Sequence, residues 1–553
     1  MGRFIRSDSW LGMSALFVGV VAFFWAGNDR ISLWDRDEPR YAETAKQMRH
    51  RGDYIVPYFN DQFRFQKPAM TYWLVAGAYS IFGETDFAAR AVSGLCLACV
   101  ALLIARLGDR MYGAPAGMIA AAMFCVTPLA MILGKLVLPD GPQLLASTAC
   151  FSAMYCCWRR HENDPRSNGW PLVFWIALAC SILIKGPIVL GMIALAFAAL
   201  WLLSRARPSE FALEWKWGTV LAILVASPWL IAVYSAVGPA FYSESVGNQI
   251  ARRLGESFDQ KFLPPGYYAV TALVCLAPWT GFVLLSFLRR RHRFRERSAE
   301  AFLLAWILGP MILLEIFRSK QPHYFAPAYP AMFLLASGML APLVRREFLW
   351  QKDFFGRSAG WWPVVLAVGL SIALARFAAT LGNAGKSWSF IAGALLVVSS
   401  AFGAWLLARR RVGESLAWQG IGAAATLVVL AIGVLPAMDR DRVAKGVAQR
   451  LSSETSPNLF VYGCIEPSFV YYGRRPVVDL KEQPQLARPI RTGESPVLVA
   501  TTAAELPKLQ ELVGRPGRIE QTMHGWLRMH KDTVHFVRFD PAALAESDAE
   551  LKR

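Results

Sequence analysis

Cysteine is nearly missing from the polar parts of this chain. Eight of its nine cysteines (Cys96, Cys99, Cys125, Cys150, Cys156, Cys157, Cys180 and Cys275) fall inside apolar runs, and only Cys464 lies in a polar region. A thiol in an apolar run acts as a small hydrophobe, and no CxxC pair occurs in a loop, which argues against a disulfide framework and against a Cys-ligated zinc site. Internal repeats and low-complexity tracts are also absent, so repeat architectures do not apply. Charge is sparse, at 18% of residues. What fills the space is apolar: 55% of 553 residues are hydrophobic and mean hydropathy is +0.34, more apolar surface than a single soluble core can bury. The surplus must face lipid. Net charge is +18, but the basic residues sit in short clusters between apolar runs, as anchors against anionic headgroups do. Membrane lipids, not nucleic acid, are the expected surroundings.

A hydrocarbon core of about 30 Å needs roughly twenty apolar residues per helix. Runs of that kind near 10–28, 88–105, 113–133, 141–158, 170–184, 186–204, 217–237, 267–288, 299–317, 324–344, 361–381, 388–408 and 416–438 predict thirteen spans. The first follows Arg3 and Arg6 and is closed by no small-residue cleavage site, so an uncleaved signal anchor is expected. Residues 70–82 are apolar but too short to cross, and Tyr72, Trp73 and Tyr79 suit an interfacial helix. Lys and Arg then gather on every second connection: Arg3/Arg6, Arg106/Arg110, Arg159/Arg160/Arg166, Arg205/Arg207/Lys216, the run from Arg289 to Arg297, Arg345/Arg346/Lys352/Arg357 and Arg409/Arg410/Arg411. By the positive-inside rule these are cytoplasmic, as is the N-terminus, and the C-terminal region lies outside, in the periplasm of a Gram-negative cell. The fold class expected is a multi-span α-helical membrane protein, residues 1–438, with a small C-terminal α/β domain, residues 439–553. Within the latter, Leu459 to Tyr462, Pro476 to Leu480, Val497 to Ala500 and His535 to Phe539 read as strands, and Ala503 to Val513 as a polar segment of helical pattern.

The remaining charges fall in outside segments. Asp35, Asp37, Glu38 and Glu43 stand with Arg36 and Arg40 directly after the first span. A helix start with Asp37 or Glu38 as cap and Pro39 in the first turn uses one acid; four beside a membrane ask for more, and Asp37 is the candidate functional carboxylate. Lys67 precedes the interfacial helix. Asp140 opens the fourth span, where it also suits a cap. Lys185 stands alone between two apolar spans, and such an ammonium asks for an anion. The long connection from Gly238 to Gly266 carries Asn248, Arg252, Arg253 and Asp259, and the turn from Arg318 to Tyr324 carries His323. Acids and cations from distant parts of the chain thus meet one face.

Taken in order, these segments resemble the GT-C membrane glycosyltransferases, which use polyprenyl phosphate sugars. Asp35-Arg36-Asp37-Glu38-Pro39-Arg40-Tyr41-Ala42-Glu43 looks like the first outer-loop acidic motif of that superfamily, continued by Gly52-Asp53-Tyr54-Ile55-Val56-Pro57 and Gln66-Lys67-Pro68. Leu138-Pro139-Asp140, Lys185-Gly186-Pro187 and Lys320-Gln321-Pro322-His323-Tyr324 echo the bacterial lipid A aminoarabinose transferases within it. The likeness runs to about residue 440. Gln66 stands where that family commonly has a glutamate, so a role for that acid does not carry over.

The resemblance implies a donor of undecaprenyl phosphate carrying aminoarabinose and an acceptor of lipid A or a precursor, at the outer face of the inner membrane. Asp37 and Asp140 are then the expected catalytic residues, and Arg40, Lys67, Lys185, Arg252, His323 and Tyr324 the substrate-binding ones. Fixed cations such as Lys67, Lys185 and Arg252 would stabilise the departing carrier phosphate. Asp37 would hold the sugar's ammonium or a cationic transition state, because an ionised phosphate acceptor needs little help from a base. Asp37, Glu38 and His323 are donors of the kind a divalent metal takes, and sequence leaves the metal open. A long isoprenoid tail calls for a membrane-embedded cavity, with 70–82 as its expected wall. Two other readings stay open: a protein O-glycosyltransferase, whose hydroxyl acceptor needs a true base, and a flippase or transporter of lipid-linked sugar, which would carry polar residues at mid-membrane.

Overall fold

The computed structural model describes residues 10–159, 169–248, 264–350, 353–493, 496–527 and 530–541. The chain divides into two compact units: Met1–Asn28, Tyr54–Val56 and Phe65–Val434 form the first, and Asp29–Asp53, Pro57–Arg64 and Leu435–Arg553 the second.

The first unit is helical, and each of the thirteen apolar runs lies on a helix or on a broken pair of helices. Proline makes the breaks. The run at 113–133 becomes Ala116–Cys125 and Pro128–Lys135, bent by 67°. Pro128 has no N–H to continue the first helix, and the Thr127 hydroxyl accepts from the N–H of Ala130 to start the next. The run at 267–288 becomes Tyr267–Cys275 and Thr280–Arg290 around Pro278. Among the described residues seven helices are long and apolar enough to cross a membrane, or eight if the bent pair counts as one. The larger count of thirteen therefore leans on shorter helices such as Trp10–Trp25, Trp170–Lys185 and Ile188–Ser204. The segment 70–82 forms a helix of thirteen residues, Met70–Phe82.

Helices approach closely where side chains are small, as in membranes generally. A Cβ on Gly117 would stand 1.7 Å from the carbonyl oxygen of Ala105, and one on Gly108 would meet Gly117 itself. At one end of this unit the arginine-rich connections touch one another. Arg159 donates to the carbonyl of Arg297, Arg297 pairs with Glu210 at 3.0 Å, and Arg345 donates to the carbonyls of Tyr112 and Ala114. Connections assigned to one side from charge alone thus share one end of the bundle.

The second unit holds a hairpin, β1 (Tyr58–Phe59) with β2 (Gln62–Phe63), and a mixed five-stranded sheet. The sheet comprises β3 (Leu459–Tyr462), β4 (Val477–Asp479), β5 (Val497–Thr502), β6 (Arg518–Leu527) and β7 (His530–Phe539), in the order β4-β3-β5-β7-β6. β3 pairs parallel with β4 and β5, while β7 pairs antiparallel with β5 and β6. Neighbours along a strand face opposite sides: Phe536 joins a core with Val447, Leu451, Val461 and Phe469, and Val537 joins another with Leu480, Val499 and Leu509. Burial on both faces is why β3 and β5 read as continuous apolar runs. β6 lies at the edge and exposes half of its residues, so RIEQTMHGWL carries no apolar run by which to find it.

Candidate active site

In the first unit the helix of the fourth apolar run begins at Asp140 and that of the fifth ends at Lys185. Their connections put both residues at one end of the helices, and the side chains meet: Lys185 Nζ lies 2.6 Å from Asp140 Oδ1, with both side chains largely buried. His323 Nε2 stands 3.8 Å from the same oxygen. Lys185 also lies over the ring of Tyr324, 5.5 Å from its centre, and His323 packs edge-on against that ring. Lys185 and Lys67 are cations whose charge acts on the Asp140 carboxylate, and His323 adds to them when it is protonated. The anion that Lys185 calls for is thus supplied by the protein. Pro139 occupies the cap position of the helix and Asp140 makes no cap hydrogen bond, so the capping role suggested by sequence does not apply.

Asp140, Lys185, His323 and Tyr324 line a small pocket with Gln143, Ser319, Leu314 and Phe317. Sequence reasoning passed over Gln143, which sits inside an apolar run. It is buried and gives its amide N–H to the Ser181 hydroxyl at 2.9 Å, while its oxygen has no hydrogen-bond partner among the described residues. A buried acceptor of this kind suits a bound hydroxyl or ammonium. Below the His323 turn, Lys320 forms an ion pair with Glu315 and donates to the carbonyl of Pro264. Lys135, also buried, gives its ammonium to the carbonyl of Phe24 and to Asn28 Oδ1, each at 3.0 Å.

An apolar cavity of about 350 Å³ lies elsewhere in this unit. Leu366, Leu370, Phe377, Leu396 and Leu427 are in its wall, together with Ala277 and Pro278 at the broken helix. The helix Met70–Phe82, expected as the wall of a carrier cavity, lines neither this cavity nor the Asp140 pocket.

In the second unit the four acids after the first span separate by role. Asp35 is buried, and both its oxygens accept from Ser468, one from the N–H at 2.9 Å and one from the hydroxyl at 2.7 Å. Burial raises its pKa, opposed by the Ser468 hydrogen bonds and by Arg442. Glu38 is buried and accepts from the N–H of Trp34. Glu43 is buried beside Lys46, at 3.6 Å. Asp37 alone stays open, with 66% of its side chain exposed and Arg40 3.9 Å away. It stands at the cap position of the helix Glu38–Arg51 without making a cap hydrogen bond, and Pro39 is in the first turn as expected. Burial and the neighbouring Arg64 lower the Arg40 pKa, with Asp37 opposing.

Arg252, Arg253 and Asp259 lie outside the described residues, as does the side chain of Asn248. Among the described residues no group of three or more His, Cys, Asp or Glu side chains could hold a metal ion.

Residues 66–231 match the dolichyl-phosphate-mannose-protein mannosyltransferase family. The undecaprenyl phosphate-alpha-4-amino-4-deoxy-L-arabinose arabinosyl transferase of Pectobacterium atrosepticum is 29% identical over 362 residues, which is 62% of this chain and 63% of that protein. The Erwinia tasmaniensis enzyme of the same name is 28% identical over 308 residues, 55% of each chain. The match thus spans less than two thirds of the length of these relatives. The crystal structure of ArnT from Cupriavidus metallidurans bound to undecaprenyl phosphate superposes with a TM-score of 0.80, covering 95% of this chain and 98% of that one at 20% identity. The chain has the fold of a GT-C glycosyltransferase. The archaeal oligosaccharyltransferase AglB of Archaeoglobus fulgidus, with a TM-score of 0.51 at 13% identity over 91% of this chain, is a more distant example of the likeness. Within the GT-C fold of this chain, the multi-span helical unit and the small α/β unit are both present.

Proposed function

We propose that this chain transfers 4-amino-4-deoxy-arabinose from undecaprenyl phosphate to a phosphate of lipid A or its precursor, at the periplasmic face of the inner membrane. The observation that carries this reading is the near-complete superposition on ArnT together with the convergence of Lys67, Lys185 and His323 on Asp140. Contacts among the arginine-rich connections at one end of the bundle support the cytoplasmic side assigned to them and a periplasmic α/β domain, residues 439–553.

In the reaction, the bond from the sugar's anomeric carbon to the carrier phosphate breaks, and the phosphate leaves with the electron pair. A lipid A phosphate oxygen forms the new bond to that carbon. No proton need move, since the acceptor is already ionised. Lys67, with Arg252 on the long connection, stabilises the charge left on the carrier phosphate. Asp37, the one open acid of its segment with Arg40 3.9 Å away, faces the positive charge of the sugar ammonium or of the transition state. The Asp140–Lys185 pair fixes the shape and charge of the pocket in which His323, Tyr324 and Gln143 meet the sugar. The apolar cavity has the lining a hydrocarbon chain requires.

The test is incubation of purified chain with the aminoarabinose-charged carrier and lipid A, read by mass spectrometry. Gain of one aminoarabinose on lipid A supports the proposal, and an unchanged acceptor removes it. A second reading, transfer to a protein hydroxyl, is favoured by the mannosyltransferase family match at 66–231; modification of peptides but not of lipid A would select it.

A further inference from the structure

We propose that Ser468 and Arg442 are positioning residues for Asp37: the α/β unit grips the irregular segment before Asp37 and sets where its carboxylate stands. The proposal rests on the catalytic reading of Asp37 given above.

Residues 32–34 form neither helix nor strand, so their backbone groups must find partners elsewhere. They find them on residues far along the chain in the same unit. The N–H and hydroxyl of Ser32 donate to the two oxygens of Asp439, at 2.9 and 2.6 Å. Arg442 donates to the Ser32 hydroxyl at 3.0 Å and to the carbonyl of Leu33 at 2.9 Å. The N–H of Leu33 donates to the Tyr472 hydroxyl at 2.7 Å. Arg442 lies over the ring of Trp34 and 3.7 Å from an oxygen of Asp35, whose two oxygens Ser468 fills. Four successive residues, 32 to 35, are therefore held by side chains or by residues beyond position 438, with Trp34 N–H taken by Glu38.

The grip ends two residues before Asp37, whose carbonyl starts the next helix by accepting from Arg40 and Tyr41. Among the described residues, the side chain of Asp37 has only the long contact to Arg40. An exposed side chain with so little to hold it takes its place from the backbone beneath it, and that backbone is anchored by Ser468 and Arg442. A shift of about 1 Å in a reacting group is enough to cost on the order of 100-fold in rate. Ser468 and Arg442 need not touch substrate to matter.

The experiment uses the full chain in detergent or nanodiscs and reads position separately from chemistry. A cysteine placed at 37 (Asp37→Cys) is labelled with a charged thiol reagent in three backgrounds: native, Ser468→Ala and Ser468→Thr. The expected result is a labelling rate that changes several-fold in Ser468→Ala and returns with the hydroxyl in Ser468→Thr; an identical rate in all three overturns the proposal. Arg442→Met serves as an independent perturbation and is expected to change the rate in the same way. With Asp37 intact, Ser468→Ala is expected to lower kcat by about 10- to 100-fold at a temperature where the variant is still fully folded, with carrier affinity unchanged. Asp35→Asn combined with Ser468→Ala should be no worse than the poorer single variant, because both break one contact. Losses that multiply, or a kcat that falls only in step with melting temperature, also overturn it. If the native chain modifies neither lipid A nor peptide, the proposed function fails while the labelling rates still decide the clamp.

Discussion

Two carboxylates in this chain sit in opposite circumstances. Asp140 is buried and ion-paired with Lys185 at 2.6 Å, with His323 beside it, whereas Asp37 is two-thirds exposed and meets Arg40 only at 3.9 Å. A charge that is fully matched within the protein stabilises and shapes a site, and has little left for a transient partner. A charge left open costs the fold little and remains available to a substrate. Under the function proposed above, the comparison gives Asp140 an architectural part and Asp37 the transition-state chemistry.

The largest effect should come from breaking the closed pair. Asp140→Asn or Lys185→Met alone leaves the other charge buried without its partner, which costs about 3–5 kcal/mol and should appear as a large drop in melting temperature. Joining the two substitutions should restore most of that stability without restoring turnover. A double variant as unstable as its parents would mean that the two residues do not act as a pair.

Next comes Asp37→Asn, for which turnover should fall by about 100- to 1000-fold with the melting temperature unchanged, since the carboxylate caps nothing. Near-normal turnover would remove Asp37 from the chemistry and collapse the comparison. Lys67→Ala tests the proposed phosphate contact: binding of sugar-free undecaprenyl phosphate should weaken by about 1.5–3 kcal/mol, and turnover should fall with it. Affinity unchanged in Lys67→Ala would place the carrier phosphate elsewhere.

The smallest effect tests exposure itself. Glu454 and Glu520 bind Arg538 in the second unit, and the Arg538 hydrogen bond lowers both pKa values from 4.5. A lowered carboxylate pKa contributes stability that is present above 4.5 and is lost as pH falls through the lowered folded value. Pairs so near the surface contribute about 0–1 kcal/mol each. Glu454→Gln should therefore lower stability slightly at neutral pH and flatten its decline in acid, followed by thermal unfolding across pH.

Most of the architecture could be read from composition and periodicity, because the signals are local. Apolar runs bounded by charge locate the helices, and short apolar runs after residue 439 locate β3, β4, β5 and β7. What escaped was what no local pattern encodes. β6 needs no apolar face, being an edge strand. Gln143 is one polar residue inside an apolar run. Asp140, Lys185 and His323 could be assigned to one face because each follows or ends a span, but their mutual pairing depends on helix packing. The grip of Ser468 on Asp35 spans 433 positions, with nothing at either residue to announce the other.

That separation has a consequence in time. A ribosome adding about 5–20 residues per second needs roughly 20 to 90 s between making Asp35 and making Ser468. During that interval residues 32–35 have been made and their holders have not. A message cut short before Ser468 would yield a chain that can enter the membrane yet cannot set its own acidic loop. Under the proposals above, completion of synthesis then becomes the event that sets Asp37 in place.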